Sequence, residues 1–176
     1  MIASVEEIKQ VKRLLTQSKK ELHSAGIPYQ GHIPIGAMIE IPSAALSIDA
    51  IYKEVDFVSI GTNDLIQYTL AVDRGNAQVS KIYEPLHPSI LLLLKNLVTA
   101  AQKAGKEISI CGEMAGDIKY AKLLVGLGYT NLSMSSFFIP QLKRYIRSIS
   151  IKEAKALADQ ALSLTEVKKI KELIGA

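Results

Sequence analysis

Ile35-Gly36-Ala37-Met38-Ile39-Glu40-Ile41-Pro42 is the stretch on which the fold turns. Its apolar residues fall on both parities, so it reads as a strand buried on both faces, the habit of a parallel sheet covered by helices. Pro42 stops it, and Ser43 is placed to cap a helix running to about Glu54. The unit then recurs. Phe57 to Ile60 is a second short apolar strand, which Gly61-Thr62-Asn63-Asp64 turns into a helix near Leu65 to Ala71. A longer connection with Gly75, Pro85 and Pro88 leads to a helix from about Ser89 to Ala104, ended by Gly105. Ile108 to Cys111 is the third strand, followed by Gly112-Glu113-Met114-Ala115-Gly116-Asp117 and a helix through Leu127. Asn131 to Met134 is the fourth, with a helix around Gln141 to Ile149 after it.

Working outward, Ser4 and Glu7 form a capping box for a leading helix with apolar positions Val5, Ile8, Val11, Leu15 and Leu22. Gly26 and Pro28 end it. Ser150 and Glu153 repeat the capping pattern before a helix carrying Leu157, Ala161 and Leu164, and Thr165 opens a last short one. Four strand-helix units in succession imply an α/β fold, a parallel sheet with outer helices and right-handed crossovers. An open doubly wound sheet and a (β/α) barrel both satisfy that pattern. A barrel needs eight units and about 250 residues. In that architecture residues 1–176 form a single domain portion, the second half of a (β/α)8 TIM-type barrel.

Composition narrows the class. The chain is 48% hydrophobic and 22% charged over 176 residues, enough for one globular domain with a substantial core. The net charge of +4 comes from lysines spread along helical stretches such as Lys152 to Lys171. No basic stripe with interleaved aromatics marks a nucleic-acid partner. No apolar run approaches the roughly 18 residues of a membrane span. Met1 is followed by Ser4, Glu6 and Glu7 rather than a signal peptide, and the lone Cys111 excludes an internal disulfide. The expectation is a cytoplasmic protein without membrane insertion.

Glu40, the Asn63-Asp64 pair and Cys111 occupy equivalent places in three successive units, each at or just past the carboxyl end of a strand. In parallel α/β folds that rim gathers catalytic side chains. Carboxylates there are costly to desolvate unless compensated, and a divalent cation compensates two at once. Mg²⁺ takes one or two carboxylates and leaves positions for water and substrate oxygens. Glu40 and Asp64 are therefore candidate metal ligands; the same spacing suits Glu40 paired with a buried arginine and Asp64 capping a helix. Asn63 offers an amide donor to a substrate carboxylate or phosphate, or an ordinary Asx turn. Arg74 suits phosphate oxygens, or a solvated helix terminus. Cys111 is either a small buried hydrophobe or, with its sulfur on the rim, a proton donor to a carbanion-like carbon, since an ordinary thiol is mostly protonated at neutral pH. His23, His32 and His87 fall on a helix, in a loop and before a proline, and read as structural or solvated.

Four motifs carry a family resemblance: Gly36 to Ala44, Val55 to Tyr68, Leu70 to Asn76, and Cys111 to Asp117. In this order they resemble the C-terminal region of phosphoenolpyruvate-protein phosphotransferase, Enzyme I of the sugar phosphotransferase system or its nitrogen-related paralogue. The resemblance implies a barrel that binds phosphoenolpyruvate and Mg²⁺ and passes the phosphoryl group to a histidine on a separate domain. That domain in turn serves a histidine-containing phosphocarrier protein. It implies Glu40 and Asp64 as metal ligands, Asn63, Asp64 and Arg74 as substrate contacts, and Cys111 as proton donor to the enolate of pyruvate. It also implies a homodimer. The family's further phosphate-binding arginines and its phosphorylated histidine have no counterparts here, so the chain alone is expected not to catalyse phosphotransfer. An open half-barrel would also expose two sheet edges, to be covered by association of two chains or by terminal helices. Competing readings are a phosphoenolpyruvate-utilising dikinase or synthase, a Mg²⁺-dependent pyruvate-enolate aldolase, and a non-catalytic dimerisation module. Val72 to Asn76 and Tyr83-Glu84-Pro85 favour Enzyme I over the dikinase and synthase, and the Cys111 motif disfavours the aldolase.

Overall fold

In the computed structural model, which describes residues 1–175, four parallel strands lie side by side in chain order: β1 (Gly36–Ile39), β2 (Phe57–Gly61), β3 (Glu107–Cys111) and β4 (Asn131–Leu132). The register stacks Ile39 on Ile60 and Ile60 on Ile110, and all three are fully buried. With Ala37, Val58 and Ile108 they form the face that packs under the helices.

The opposite face differs from the sequence expectation. Met38 is 39% exposed and Phe57 38%, and Ser59 and Ser109 are only half-buried. The strands are thus buried on one face only. Apolar residues on both parities say that both faces suit burial, but the covering partner for Met38 and Phe57 is not among these four units. β1 and β4 are the sheet's free edges.

Helix α1 (Val5–Ser24) begins as expected: the Glu7 backbone N–H donates to Ser4 Oγ, and the Glu7 carboxylate accepts from the backbone of Ala3 and Ser4. Of its apolar stripe only Ile8 is buried, and Val11 is 54% exposed. The helix expected from Ser43 to Glu54 is two short ones, α2 (Pro42–Leu46) and α3 (Ile48–Ile51), divided at Ser47. Pro42 takes the first helical turn, where its missing N–H costs nothing. Ser43 makes no cap, and its hydroxyl donates to the Ala3 carbonyl at 3.2 Å. α4 (Thr62–Thr69) follows β2 without a linker.

α5 (Pro88–Ala104) contributes to the cover: Ile90, Leu91, Leu94, Leu97 and Val98 are all buried. It is capped by His87, whose Nδ1 accepts from the Ser89 N–H at 3.3 Å, and it ends at Gly105 in the left-handed conformation, φ 62°. After β3 come α6 (Glu113–Gly116) and α7 (Ile118–Leu127), and after β4 a single 3₁₀ turn and α8 (Ile139–Ile146). The fourth strand is shorter than expected, ending at Leu132. α9 (Ile151–Ser163) packs Ala154 and Ala158 closely on α7 and buries Ala161, and α10 (Val167–Ile174) follows. The second capping box does not form: Ser150 makes no side-chain cap, and Glu153 instead meets Lys122 of α7 at 3.1 Å.

Candidate active site at the carboxyl ends of the strands

Register places Gly61 opposite Cys111, and Glu40 follows directly on β1 beside Gly61. A methyl group at Gly61 would lie 2.9 Å from Glu40 Oε2 and 3.0 Å from its Cβ, so the glycine is the space into which Glu40 folds. The Glu40 side chain is 16% exposed and lies 3.4 Å from the Met1 ammonium. Among the described residues no arginine pairs with it. The Cys111 sulfur stands 3.7 Å from Ser59 Oγ, 3.4 Å from the Ile60 carbonyl oxygen and 3.8 Å from Met38 Sδ. It belongs to the open face of the sheet.

Asn63 and Asp64 sit in the first turn of α4, and neither takes the role of cap or Asx turn. Asn63 Oδ1 accepts the Glu113 backbone N–H at 3.0 Å, tying the start of α4 to the start of α6. That bond fixes the amide: the oxygen is engaged, and the NH₂ group remains as a donor. Asp64 Oδ1 accepts from Arg74 at 3.1 Å. The segment bearing Arg74 folds back onto α4 through Ala71, in the left-handed conformation with φ 53°, and through the Arg74 N–H donating to Gln67 Oε1 at 3.3 Å.

Tyr83 belongs to this cluster and sequence reasoning missed it as a site residue. Its hydroxyl donates to the Asn63 carbonyl at 3.4 Å. Burial, and then the Glu113 carboxylate, push its pKa up to about 12, while Arg74 pulls the other way. Thr62 was missed too. It is fully buried, and its hydroxyl donates to the Cys111 carbonyl at 2.7 Å. The one signal for either in the sequence is its neighbourhood: Thr62 inside the turn after β2, Tyr83 in the connection before α5.

A cleft of about 680 Å³ opens beside Cys111, lined among others by Asn63, Glu113, Asp117, Ser133 and Gln141. The structure therefore brings Asn63 and Cys111 to one cleft, Glu40 and Cys111 to either side of Gly61, and Arg74 of the following turn into an ion pair with Asp64 of the adjoining helix. Glu40, Asp64 and Arg74 do not line the cleft. Among the described residues no three His, Cys, Asp or Glu side chains gather as a metal cluster. The candidate metal ligands are Glu40, just past β1, and Asp64, in the first turn of α4, a donor set that suits a hard cation retaining several waters. None of the three histidines lines the cleft, and among the described residues no helix is long and apolar enough to cross a membrane.

Residues 1–151 match the family described as PEP-utilising enzyme, PEP-binding domain. This chain belongs to that family. Within the PEP-utilising enzymes it is similar to the phosphoenolpyruvate-protein phosphotransferase of Haemophilus influenzae, 47% identical over 174 residues that make up 99% of this chain and 30% of that enzyme. The enzymes of that name from Buchnera aphidicola and Listeria monocytogenes are each 45% identical over 174 residues, again 99% of this chain. The chain thus spans 30% of the length of the relatives it matches, in their C-terminal part. A citrate lyase from Burkholderia xenovorans superposes with a TM-score of 0.58 at 14% identity, covering 99% of this chain and 60% of that one. That likeness is one of fold, and it places the four units in the TIM-barrel-like architecture expected from the sequence.

Proposed function

We propose that this chain is the metal- and phosphoenolpyruvate-binding part of a phosphoenolpyruvate-protein phosphotransferase, which moves phosphate from phosphoenolpyruvate to an enzyme histidine and then to a phosphocarrier protein. The observation that carries the reading is the row Glu40, Gly61, Cys111, with Asn63 and Asp64 opening the helix beside it.

Glu40 and Asp64 would hold Mg²⁺, which when bound supplies positive charge to the phosphoryl and enolate oxygens. For Asp64 to serve, its bond to Arg74 opens, and the released guanidinium turns its fork to phosphate oxygens. The Asn63 NH₂ donates to the substrate. As the phosphorus–oxygen bond breaks and a phosphorus–nitrogen bond forms to a histidine outside this chain, the enolate left behind takes the Cys111 thiol proton at its terminal carbon. Pyruvate results, and the thiolate is left facing the Ser59 hydroxyl. With no histidine at the cleft, the chain alone binds without transferring phosphate. Association into a homodimer is a further element of the proposal. The lone thiol supports a cytoplasmic setting.

The test uses Mn²⁺ in place of Mg²⁺ on isotopically labelled chain, with phosphoenolpyruvate present. Paramagnetic broadening should centre on Glu40 and Asp64 and be lost in Asp64→Ala. Broadening centred on Glu113 and Asp117 instead would remove the assignment, however tight the binding.

A further inference from the structure

We infer that Thr62 is a positioning residue that keys the strand bearing Cys111 to the helix bearing Asn63 and Asp64; the inference rests on the reading of the site just proposed. The ladder between β2 and β3 ends at the pair Gly61 and Cys111. Beyond that point the two chains diverge into separate helices, and nothing in the sheet holds their relative height. Thr62 supplies the missing tie. Its hydroxyl donates to the Cys111 carbonyl at 2.7 Å, and the residue is fully buried. A second tie, from the Glu113 N–H to Asn63 Oδ1 at 3.0 Å, runs the opposite way across the same gap.

Gly112 sits between the two ties. It has φ 93° and ψ −173°, and a side chain there would press on both Thr62 Oγ1 and Asn63 Oδ1. The backbone therefore comes as near to both polar atoms as a chain without a Cβ allows. The two ties act on different parts of the site. The Thr62 bond holds the backbone that carries the sulfur, and the Asn63 bond decides which end of that amide faces the cleft. A proton donor and a substrate-orienting amide must keep a fixed separation, because misplacement by about 1 Å is costly in such a site. Thr62 touches neither metal nor substrate and acts through Cys111.

The experiment compares Thr62→Val, which keeps the shape and removes the donor, with Thr62→Ser, which keeps the donor. The readouts on the intact chain are the rate of Cys111 alkylation by iodoacetamide at fixed pH and the side-chain amide resonances of Asn63. Thr62→Val should speed alkylation about five-fold, the population change expected from losing one buried hydrogen bond, and should move the Asn63 signals. Thr62→Ser should restore both. Gly126→Ala, which burdens the distant α7–α9 contact, controls for general loosening and should leave the alkylation rate unchanged at temperatures where it remains folded. Alkylation within two-fold of the parent in Thr62→Val, or equal acceleration in Thr62→Ser or Gly126→Ala, overturns the inference. Mn²⁺ broadening on the unmodified chain reports separately on the site reading, so failure of one is distinguishable from failure of the other.

Discussion

Replacing Gly112 with alanine tests the junction between β2 and β3 most severely. The residue's φ of 93° and ψ of −173° fall in a region that is essentially glycine-only, and holding another residue there costs about 1–3 kcal/mol. The added methyl would also fall 2.8 Å from Asn63 Oδ1 and closer still to Thr62 Oγ1. Relieving that contact breaks the Thr62 bond to the Cys111 carbonyl, leaving buried polar groups unpaired at a cost of about 1–3 kcal/mol. The Asn63 bond to Glu113 is more exposed and adds about 0.5–1 kcal/mol. The total is about 2.5–7 kcal/mol, against a stability of about 5–15 kcal/mol for a domain. With a urea dependence of about 2 kcal/mol per molar, the unfolding midpoint should fall by about 2 M. Gly116→Ala is the control, because its methyl would meet only ordinary contacts at 3.5 Å from Met134 and Phe138. A loss below about 1 kcal/mol in Gly112→Ala would refute the reasoning, since the turn would then have another conformation available that spares both bonds.

Gly126→Ala should cost more than about 3 kcal/mol in thermal unfolding, because its methyl would fall on the Ala154 carbonyl oxygen and 2.6 Å from the carbonyl carbon behind it. Two tyrosines make a matched pair in urea unfolding. Tyr129→Phe removes a buried hydroxyl that donates to the Leu94 carbonyl at 3.1 Å and should cost about 1 kcal/mol, whereas the Tyr52 hydroxyl is buried without a partner among the described residues and Tyr52→Phe should be neutral or stabilising. Tyr83, with its pKa pushed up to about 12, contributes stability that is intact below the ordinary tyrosine value near 10 and declines as pH rises toward 12. Phenolate absorbance should show its ionisation only near pH 12, and Tyr83→Phe should flatten that part of the stability profile. At the acid end, Lys12 holds the Glu54 carboxyl below its usual range. The linked stability is present above the unfolded carboxylate value near 4 and is lost as pH falls through the lower folded value, a slope that Lys12→Ala should reduce in acid titration.

The strand-helix units were legible because each strand is a short apolar run bounded by Gly, Pro or Asn. The limits of that signal show at particular residues. Met38 and Phe57 have the same apolar character as Ile39 and Val58, yet are over a third exposed; side-chain character says which surfaces suit burial, and not whether a partner is there. Ser150 and Glu153 have the spacing of a capping box, but Lys122 on a neighbouring helix takes the carboxylate, and local pattern cannot weigh a tertiary competitor. At the site, strand-end position singled out Glu40, Asn63, Asp64 and Cys111 because that location is written in the order of the units. The bonds of Thr62 to Cys111, Arg74 to Asp64 and Tyr83 to Asn63 join residues 10 to 49 positions apart, and no periodicity encodes them.

The order of strands across the sheet is the order of synthesis. Each new strand meets an edge already laid down by its predecessor, so no pairing waits for a segment still inside the ribosome, and every adjacent pair can zip as soon as its connecting helix has emerged.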